Sequence, residues 1–143
     1  MTSSASTILV TDTGFGPDTW ITGFATLDHA TSSANDVPGL DLPPDADVTD
    51  LGPRLAHVQM IRIDFPSFAD GRGFTLARLL RAQGYRGRLR ACGHVIADQY
   101  AMARRSGFDE IEISADLATR QPESHWLDRA DWQAHDYQAR MRG

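Results

Sequence analysis

The chain has 143 residues and a formal net charge of −5, and all fourteen of its basic residues are arginine. The acidic balance argues against a general nucleic-acid-binding protein, which needs a basic face. The absence of lysine excludes Schiff-base catalysis and a Walker-type phosphate lysine. The single cysteine, Cys92, excludes an internal disulfide and a cysteine-rich metal site.

The first third of the chain predicts a short hairpin followed by a connector. A β-rich run at 7–11 precedes a turn at 12–14, and we expect a second strand at 20–24 to pair with the first within an N-terminal hairpin region, 1–27. Serine, aspartate and proline dominate 28–47. Because proline at this density disfavours both helix and central strand, we predict a surface connector there.

The remainder, 48–143, predicts a βαβαβ core and a C-terminal helix, within a single α/β domain that spans 1–143. Three β-rich runs alternate with two helical patterns that each end at a glycine: 60–65, 74–83, 88–92, 95–106 and 110–114. This alternation is typical of adjacent parallel strands joined by right-handed crossovers. The predicted fold class is therefore α/β, with a small parallel sheet of Rossmann-like or half-barrel-like type.

The helical patterns also predict which side chains are buried. The C-terminal pattern covers 123–141 and places Trp126, Ala130, Ala134 and Tyr137 near one face. Because the connecting helices must cover the sheet, we expect six large apolar side chains to be buried: Phe65, Phe68, Leu76, Leu80, Ile96 and Phe108.

Polar side chains cluster in the loops that follow the predicted strands. In parallel α/β units, ligands bind at the edge where the carboxyl ends of the strands meet, and helix N-termini there supply free N–H donors. The sequence therefore predicts a small-anion site at this edge, with no catalytic residue assigned. The candidate residues from this rule are Asp64, Asp70, Arg72, Arg90 and His94.

Several of these residues have structural alternatives that stay open. The loop 70–73 is either a tight turn whose aspartate caps the following helix, or a flexible segment that brings Arg72 to an anion or to Asp64. His94 is either an acid/base group or a neutral surface histidine. Cys92 is either a thiol whose pKa is lowered by a nearby arginine and helix start, or a small buried hydrophobic residue.

The segment 61–81 resembles the signature of a bacterial family known as domain of unknown function 934. The resemblance rests on the run Phe-Pro-Ser-Phe-Ala-Asp-Gly-Arg-Gly at 65–73, and it continues in register through 84–99. Asp18-Thr19-Trp20 is similar to the family's Asp-x-Trp, as 105–109 is to a further family segment. The chain departs from the pattern at His94, where the family often has aspartate, and at Ser106, where it often has cysteine. Among the positions that the chain shares with the family, the resemblance adds Asp98 and Gln99 to the candidate anion-binding residues.

The resemblance implies a role in sulfur metabolism. Members of the family are commonly labelled as oxidoreductases involved in sulfite reduction, because they tend to be encoded beside sulfite reductase. The implied function is an accessory protein of assimilatory sulfite reduction that acts with sulfite reductase or its electron donor. Whether the protein is itself an enzyme stays open.

Two alternatives from the residues stay beside this hypothesis: an enzyme or sensor for a small anion that uses the strand-end cluster, and a structural interaction domain. No cofactor motif is visible, and the five histidines show no metal-ligand spacing, so we predict neither a cofactor nor a metal. No stretch approaches the ~20 apolar residues that span a bilayer, and no signal peptide is visible. We expect a cytoplasmic protein without nucleic-acid or membrane partners.

Overall fold

The computed structural model describes residues 7–20, 22–26, 38–49 and 51–132. Seven strands lie in these ranges: β1 (Thr7–Thr11), β2 (Gly14–Gly16), β3 (Ala25–Thr26), β4 (Gly39–Leu42), β5 (Met60–Phe65), β6 (Arg88–Gly93) and β7 (Glu110–Ser114). The α-helices in the same ranges are α1 (Arg72–Ala82), α2 (Tyr100–Ser106), α3 (Ala115–Arg120) and α4 (Glu123–Leu127). Short 3-10 helices occupy Gly52–His57 and Ala97–Gln99.

The strands form one open, mixed sheet in the order β2-β1-β7-β6-β5-β4-β3. Neighbouring strands from β3 to β7 are parallel, whereas β1 runs antiparallel to both β2 and β7. The predicted α/β class is confirmed, as are the parallel pairing and adjacency of β5, β6 and β7. The crossover between β5 and β6 contains α1, and the crossover between β6 and β7 contains the 3-10 turn and α2.

The N-terminal hairpin forms with a different partner strand from the one predicted. β1 pairs with β2 at Gly14–Gly16, and Leu9 lies opposite Gly16. A two-residue turn closes this hairpin, and Gly14 follows it with a φ of +111°, which favours glycine. The strand that pairs with β1 therefore ends before Trp20. Residues 20 and 22–24, the described part of 20–24, form no strand, so the second strand predicted there is wrong.

The prediction of a connector without a strand over 28–47 is also wrong. β4 lies inside this range and pairs in parallel with β5, and its Leu40 and Leu42 side chains are buried. Proline does not interrupt the strand because Pro38 precedes it and the next proline follows it. The carbonyl of Pro38 accepts the backbone N–H groups of Gln59 and Met60, both at 2.9 Å. Residues 27–37 lie outside the described part of the chain.

The hydrophobic core lies between one face of the sheet and the helices. Alternate residues of the central strands point into it, together with apolar side chains of α1, α2 and α4. Burial is confirmed for Phe65, Leu76, Leu80 and Phe108.

Phe68 is 40% exposed, which contradicts its predicted burial. It lies in the loop between β5 and α1, and its ring packs edge-on against the His94 ring, with 5.2 Å between the ring centroids. Ile96, at the extended residue before the 3-10 turn, is only half-buried.

The C-terminal helix is shorter than predicted within the described residues. α4 has five residues, and Trp126 within it is buried, with its indole N–H donating to the Gln121 carbonyl at 2.8 Å. A turn follows α4, so the helix does not continue through Ala130. The predicted positions Ala134 and Tyr137 lie outside the described residues. Among the residues described, no helix is long and apolar enough to span a bilayer.

Candidate functional site

The sheet face opposite the helices carries charged side chains. Strand alternation directs every second residue to this side, so the same strands that fill the core also present charges. In register, Asp41 lies opposite Arg62, Arg62 opposite Arg90, and Arg90 opposite Glu110. We call this surface the charged face, and define it by Asp41, Arg62, Arg88, Arg90, Glu110 and Glu112.

The charged face is held together by an alternating chain of ion pairs. The order of the chain is Asp41, Arg62, Glu112, Arg90, Glu110 and Arg88. The Arg62 guanidinium donates from Nε and Nη2 to both oxygens of Asp41, at 2.6 and 2.8 Å, and from Nη1 to Glu112 at 3.1 Å. Two parallel hydrogen bonds fix the guanidinium plane as well as the charge.

Arg90 is the centre of this network and is 0% exposed. Its Nε donates to Glu110 at 2.7 Å and its Nη1 to Glu112 at 2.8 Å. Burial opposes the charge, but hydrogen bonds to Asp18, Glu110 and Glu112 together raise the pKa of Arg90 above its usual value. Arg90 is therefore a buried cation surrounded by carboxylates.

The third carboxylate on Arg90 comes from far away in the chain. Asp18 accepts two hydrogen bonds from the guanidinium, at 3.0 and 3.1 Å. Although partial burial disfavours its charge, these bonds and the Trp20 backbone N–H hold the pKa of Asp18 below its usual value. The Asp-x-Trp segment is thus the anchor of a loop on the charged face.

We call residues 17–20 and 22–24 the N-terminal strap. The Phe24 ring lies 3.8 Å from the Arg62 guanidinium carbon, and the Trp20 indole donates to the Gly23 carbonyl at 2.8 Å. Gly39 on β4 lets the strap approach, because a Cβ atom there would clash with the Gly23 carbonyl oxygen. The strap covers one part of the charged face and leaves another part open.

A cavity of about 650 Å³ opens on the uncovered part, beside the carboxyl ends of β4, β5 and β6. Its volume falls within the ~300–1,000 Å³ typical of small-molecule sites. We call it the sheet cavity; it is lined by Thr26, Asp41, Leu42, Pro43, Arg62, Asp64, Cys92 and Glu112. Among the described residues, no hydrogen bond or ion pair reaches the carboxylate of Asp64.

Cys92 lines the sheet cavity as a neutral thiol. Burial raises its pKa to about 12, and the neighbouring Glu112 carboxylate adds to the effect, which Arg62 only partly offsets. The alternative in which a nearby arginine and helix start lower this pKa is therefore wrong. Because thiolate is the nucleophilic and redox-active form, this environment disfavours the reactive form of Cys92 near neutral pH.

The structure separates the predicted site residues into different places. Asp64 lines the sheet cavity, whereas Arg90 is enclosed by carboxylates beneath the strap. Asp70 and Arg72 pair with each other at 2.7 Å, and the Arg72 backbone N–H also donates to Asp70 at 3.1 Å. Hydrogen bonds from Arg72 lower the pKa of Asp70. Arg72 thus has Asp70 as its carboxylate partner, and this pair opens α1.

The remaining predicted residues make local contacts around the start of the second crossover. Gln99 accepts the Ile96 backbone N–H at 3.0 Å and donates to the Phe68 carbonyl at 3.0 Å. Asp98 pairs with Arg129 at the surface. His94 is exposed, with Nδ1 3.2 Å from the Phe65 carbonyl oxygen, and lines a separate cavity of about 140 Å³.

Sequence reasoning missed most of the charged face because it considered strand ends and not strand faces. The sequence does indicate a charged sheet face, because charged and apolar residues alternate along two strands. The charged positions are Arg62 and Asp64 on β5, and Glu110 and Glu112 on β7. Asp18 had no such signal, because its partner Arg90 lies on a distant strand. In the described part of the chain, no group of three or more His, Cys, Asp or Glu residues is arranged to hold a metal ion.

These features define a class: an α/β protein with seven mostly parallel strands, helices packed on one sheet face and an ion-paired network on the other. The chain belongs to the family described as bacterial protein of unknown function (DUF934), whose model matches residues 39–143. That match starts at β4 and includes every residue that defines the charged face. Comparison with curated proteins and with solved structures gave no match.

Proposed function

We propose that this protein is an accessory protein of assimilatory sulfite reduction that works by binding a ligand, alongside sulfite reductase or its electron donor. The link to sulfite rests on the label that the family's members commonly carry. The observation that favours a binding role is the sheet cavity, which is large enough for a small molecule and is lined by charges held in place by buried ion pairs.

The state of the lone thiol favours binding over electron transfer by a side chain. Cys92 is the only cysteine of the chain, and it faces the cavity. A redox cysteine needs appreciable thiolate at the working pH, and burial beside Glu112 raises the pKa of this thiol to about 12. Cys92 therefore contributes a small apolar surface to the cavity.

An enzyme or sensor for a small anion is less well supported at this place. In the described part of the chain, the cavity wall carries three carboxylates, Asp41, Asp64 and Glu112, and one guanidinium, Arg62. Because Arg62 already donates to Asp41 and Glu112, an entering anion would meet more negative than positive charge. Arg90 offers no open position either, since three carboxylates enclose it.

Growth of a deletion strain tests the proposed role in the reduction of sulfite to sulfide. Without the gene, we expect cells to fail to grow with sulfate or sulfite as the sulfur source and to grow with sulfide or cysteine, because only the reduction of sulfite to sulfide is impaired. The wild-type gene should restore growth on all four sources. Normal growth of the deletion strain on sulfite would contradict the proposal, and so would failure on sulfide.

Complementation with a cysteine variant tests binding against thiol chemistry. Cys92→Ala should restore growth on sulfite as well as the wild-type gene does, because the binding role needs no thiolate. The amount of soluble protein is measured in parallel, so that loss of the protein is not mistaken for loss of function. A stable Cys92→Ala protein that fails to complement would contradict the view that this position supplies only a small apolar surface.

A further inference from the structure

We propose that the sheet cavity binds a small organic cation, a molecule that carries an ammonium or guanidinium group. The inference rests on the proposed binding role and names the chemical class of the ligand. It follows from the balance of charge around the cavity, the burial of the network beneath it and the apolar surface at its rim.

The ion-pair chain of the charged face is balanced by itself. Three carboxylates, Asp41, Glu110 and Glu112, alternate with three guanidinium groups. Two further carboxylates face the same side: Asp18, which binds Arg90 beneath the strap, and Asp64, which lines the cavity. Among the described residues, this surface therefore carries two more negative than positive charges, and Asp64 is the unpaired carboxylate at the cavity wall.

The positive charge nearest to the cavity is already engaged. Arg62 donates to Asp41 through two nitrogens and to Glu112 through the third, and the Phe24 ring covers the guanidinium plane. No cation among the described residues is paired with Asp64. An ammonium or guanidinium group would find an acceptor in Asp64, and the half-exposed Asp41 retains further lone pairs.

The spacing of the two carboxylates suits one cation or a short dication. Asp41 lies opposite Arg62, and Asp64 is two residues further along β5, so the two aspartates are diagonal neighbours on adjacent parallel strands. Same-face residues in this relation have Cβ atoms about 7 Å apart, within reach of a single ammonium or of both ends of a short diamine.

The surroundings strengthen this attraction and accommodate the rest of the ligand. Glu112 lines the cavity and is buried, so this part of the wall is shielded from bulk water. Pro43 and the neutral Cys92 thiol supply apolar surface for methylene groups. The cavity volume is that of a whole small molecule.

NMR titration of the full chain tests the inference directly. Backbone amide shifts are followed while putrescine (1,4-diaminobutane) or agmatine is added at neutral pH and low salt, with 1,4-butanediol as the neutral isostere and with succinate and sulfate as anions. We expect saturable shifts at Arg62, Asp64 and Cys92 with the two amines only. The amine affinity should fall as salt is added, because the attraction is between charges at an open cavity.

Matched aspartate variants assign the binding to the cavity. Asp64→Asn should weaken putrescine binding by about tenfold, the loss expected for one charge-assisted hydrogen bond. Asp116→Asn, the same change at an exposed helix position, should leave the affinity unchanged. The amide spectrum of each variant reports whether the fold is intact, and the salt dependence of the wild-type protein gives a measurement that does not depend on either variant.

Three results would overturn the proposal: no saturable shift with either amine, saturable binding of succinate or sulfate at the same residues, or an unchanged putrescine affinity in a folded Asp64→Asn protein. Each of these would leave the growth experiment standing. The opposite outcome is also distinguishable. If the deletion strain grows normally on sulfite but amine binding depends on Asp64, the sulfite role is wrong and the cation site is supported.

Discussion

The two faces of the sheet are built from the same strands by different physics. On β5, Ile61 and Ile63 point into the core, and Arg62 between them points to the charged face. One face is stabilised by the burial of apolar area, at about 25 cal/mol per Å². The other is stabilised by partners that must all be present, because a buried charge that loses its partner costs more than the pair contributes.

The charged face is organised for the position of its side chains more than for stability. A buried ion-pair chain is roughly neutral in free energy against an apolar core of the same shape, yet it fixes each side chain in one place. The apolar face is closed by helices, whereas the charged face holds a cavity. Substitutions on the two faces should therefore fail in different ways.

The largest expected effect is at the centre of the charged face. Arg90→Met should lower the free energy of unfolding by about 5 kcal/mol, because Asp18, Glu110 and Glu112 all lose a buried partner. Urea denaturation measures the change. Arg120→Met, in an exposed pair with Asp116, is the matched control and should change stability by less than about 1 kcal/mol. An Arg90→Met protein as stable as wild type would show that the network adds nothing to folding.

The apolar face should respond somewhat less strongly to a single truncation. Phe108 is 0% exposed, and its ring contacts Phe65 and Phe74 at centroid distances of 5.8 and 6.4 Å. Phe108→Ala should cost about 3–5 kcal/mol in a reversible melt, the usual range for a buried phenylalanine. Phe68→Ala, at the exposed loop position, should cost much less. A loss below about 1 kcal/mol for Phe108→Ala would place this residue outside the core.

The strap should contribute less to the free energy of unfolding, and its contribution should depend on pH. Asp18→Asn should cost about 1 kcal/mol at pH 7, a value reduced for the 33% exposure of the aspartate. Because the folded pKa of Asp18 lies below its unfolded value, its stabilisation is complete above the unfolded pKa and is lost as the pH falls through the folded pKa.

Melting temperatures measured from pH 7 down to about pH 2 test this sign. The wild-type protein and Asp18→Asn should converge as the pH falls, while Asp116→Asn should follow the wild type. A difference between wild type and Asp18→Asn that grows toward acid pH would mean that the carboxylate does not stabilise Arg90 in the way the geometry indicates.

The smallest effect is expected in the loop before α1. Arg72 is exposed and pairs only with its neighbour Asp70 among the described residues, so Arg72→Ala should shift the melting temperature by no more than about 2 °C. If Arg72 contacts a ligand, as the sequence predicts, this stable variant should lose growth on sulfite. Arg72→Lys then separates a bidentate contact, which lysine restores poorly, from a need for charge alone. An unfolded Arg72→Ala protein would make the arginine structural.

The candidate site was only partly predictable from the sequence. Asp64 was found because a carboxylate at the end of a parallel strand faces the edge where ligands bind. The same rule misplaced Arg90, because a residue in the middle of a strand points to one face of the sheet and not to its edge. The loop position of Arg72 and the family resemblance at Gln99 indicate ligand contacts, yet the partners of both side chains are immediate neighbours in the fold.

The centre of the fold is predictable from local signals, since the β-rich runs, helical spacing and terminal glycines all lie within each crossover. Tertiary structure decided what local signals do not contain. The hairpin partner of β1, the inclusion of β4 and the bond between Asp18 and Arg90 all join segments whose pairing depends on docking. The sheet cavity likewise brings together side chains of five strands, from Thr26 on β3 to Glu112 on β7, so it depends on their register in the sheet.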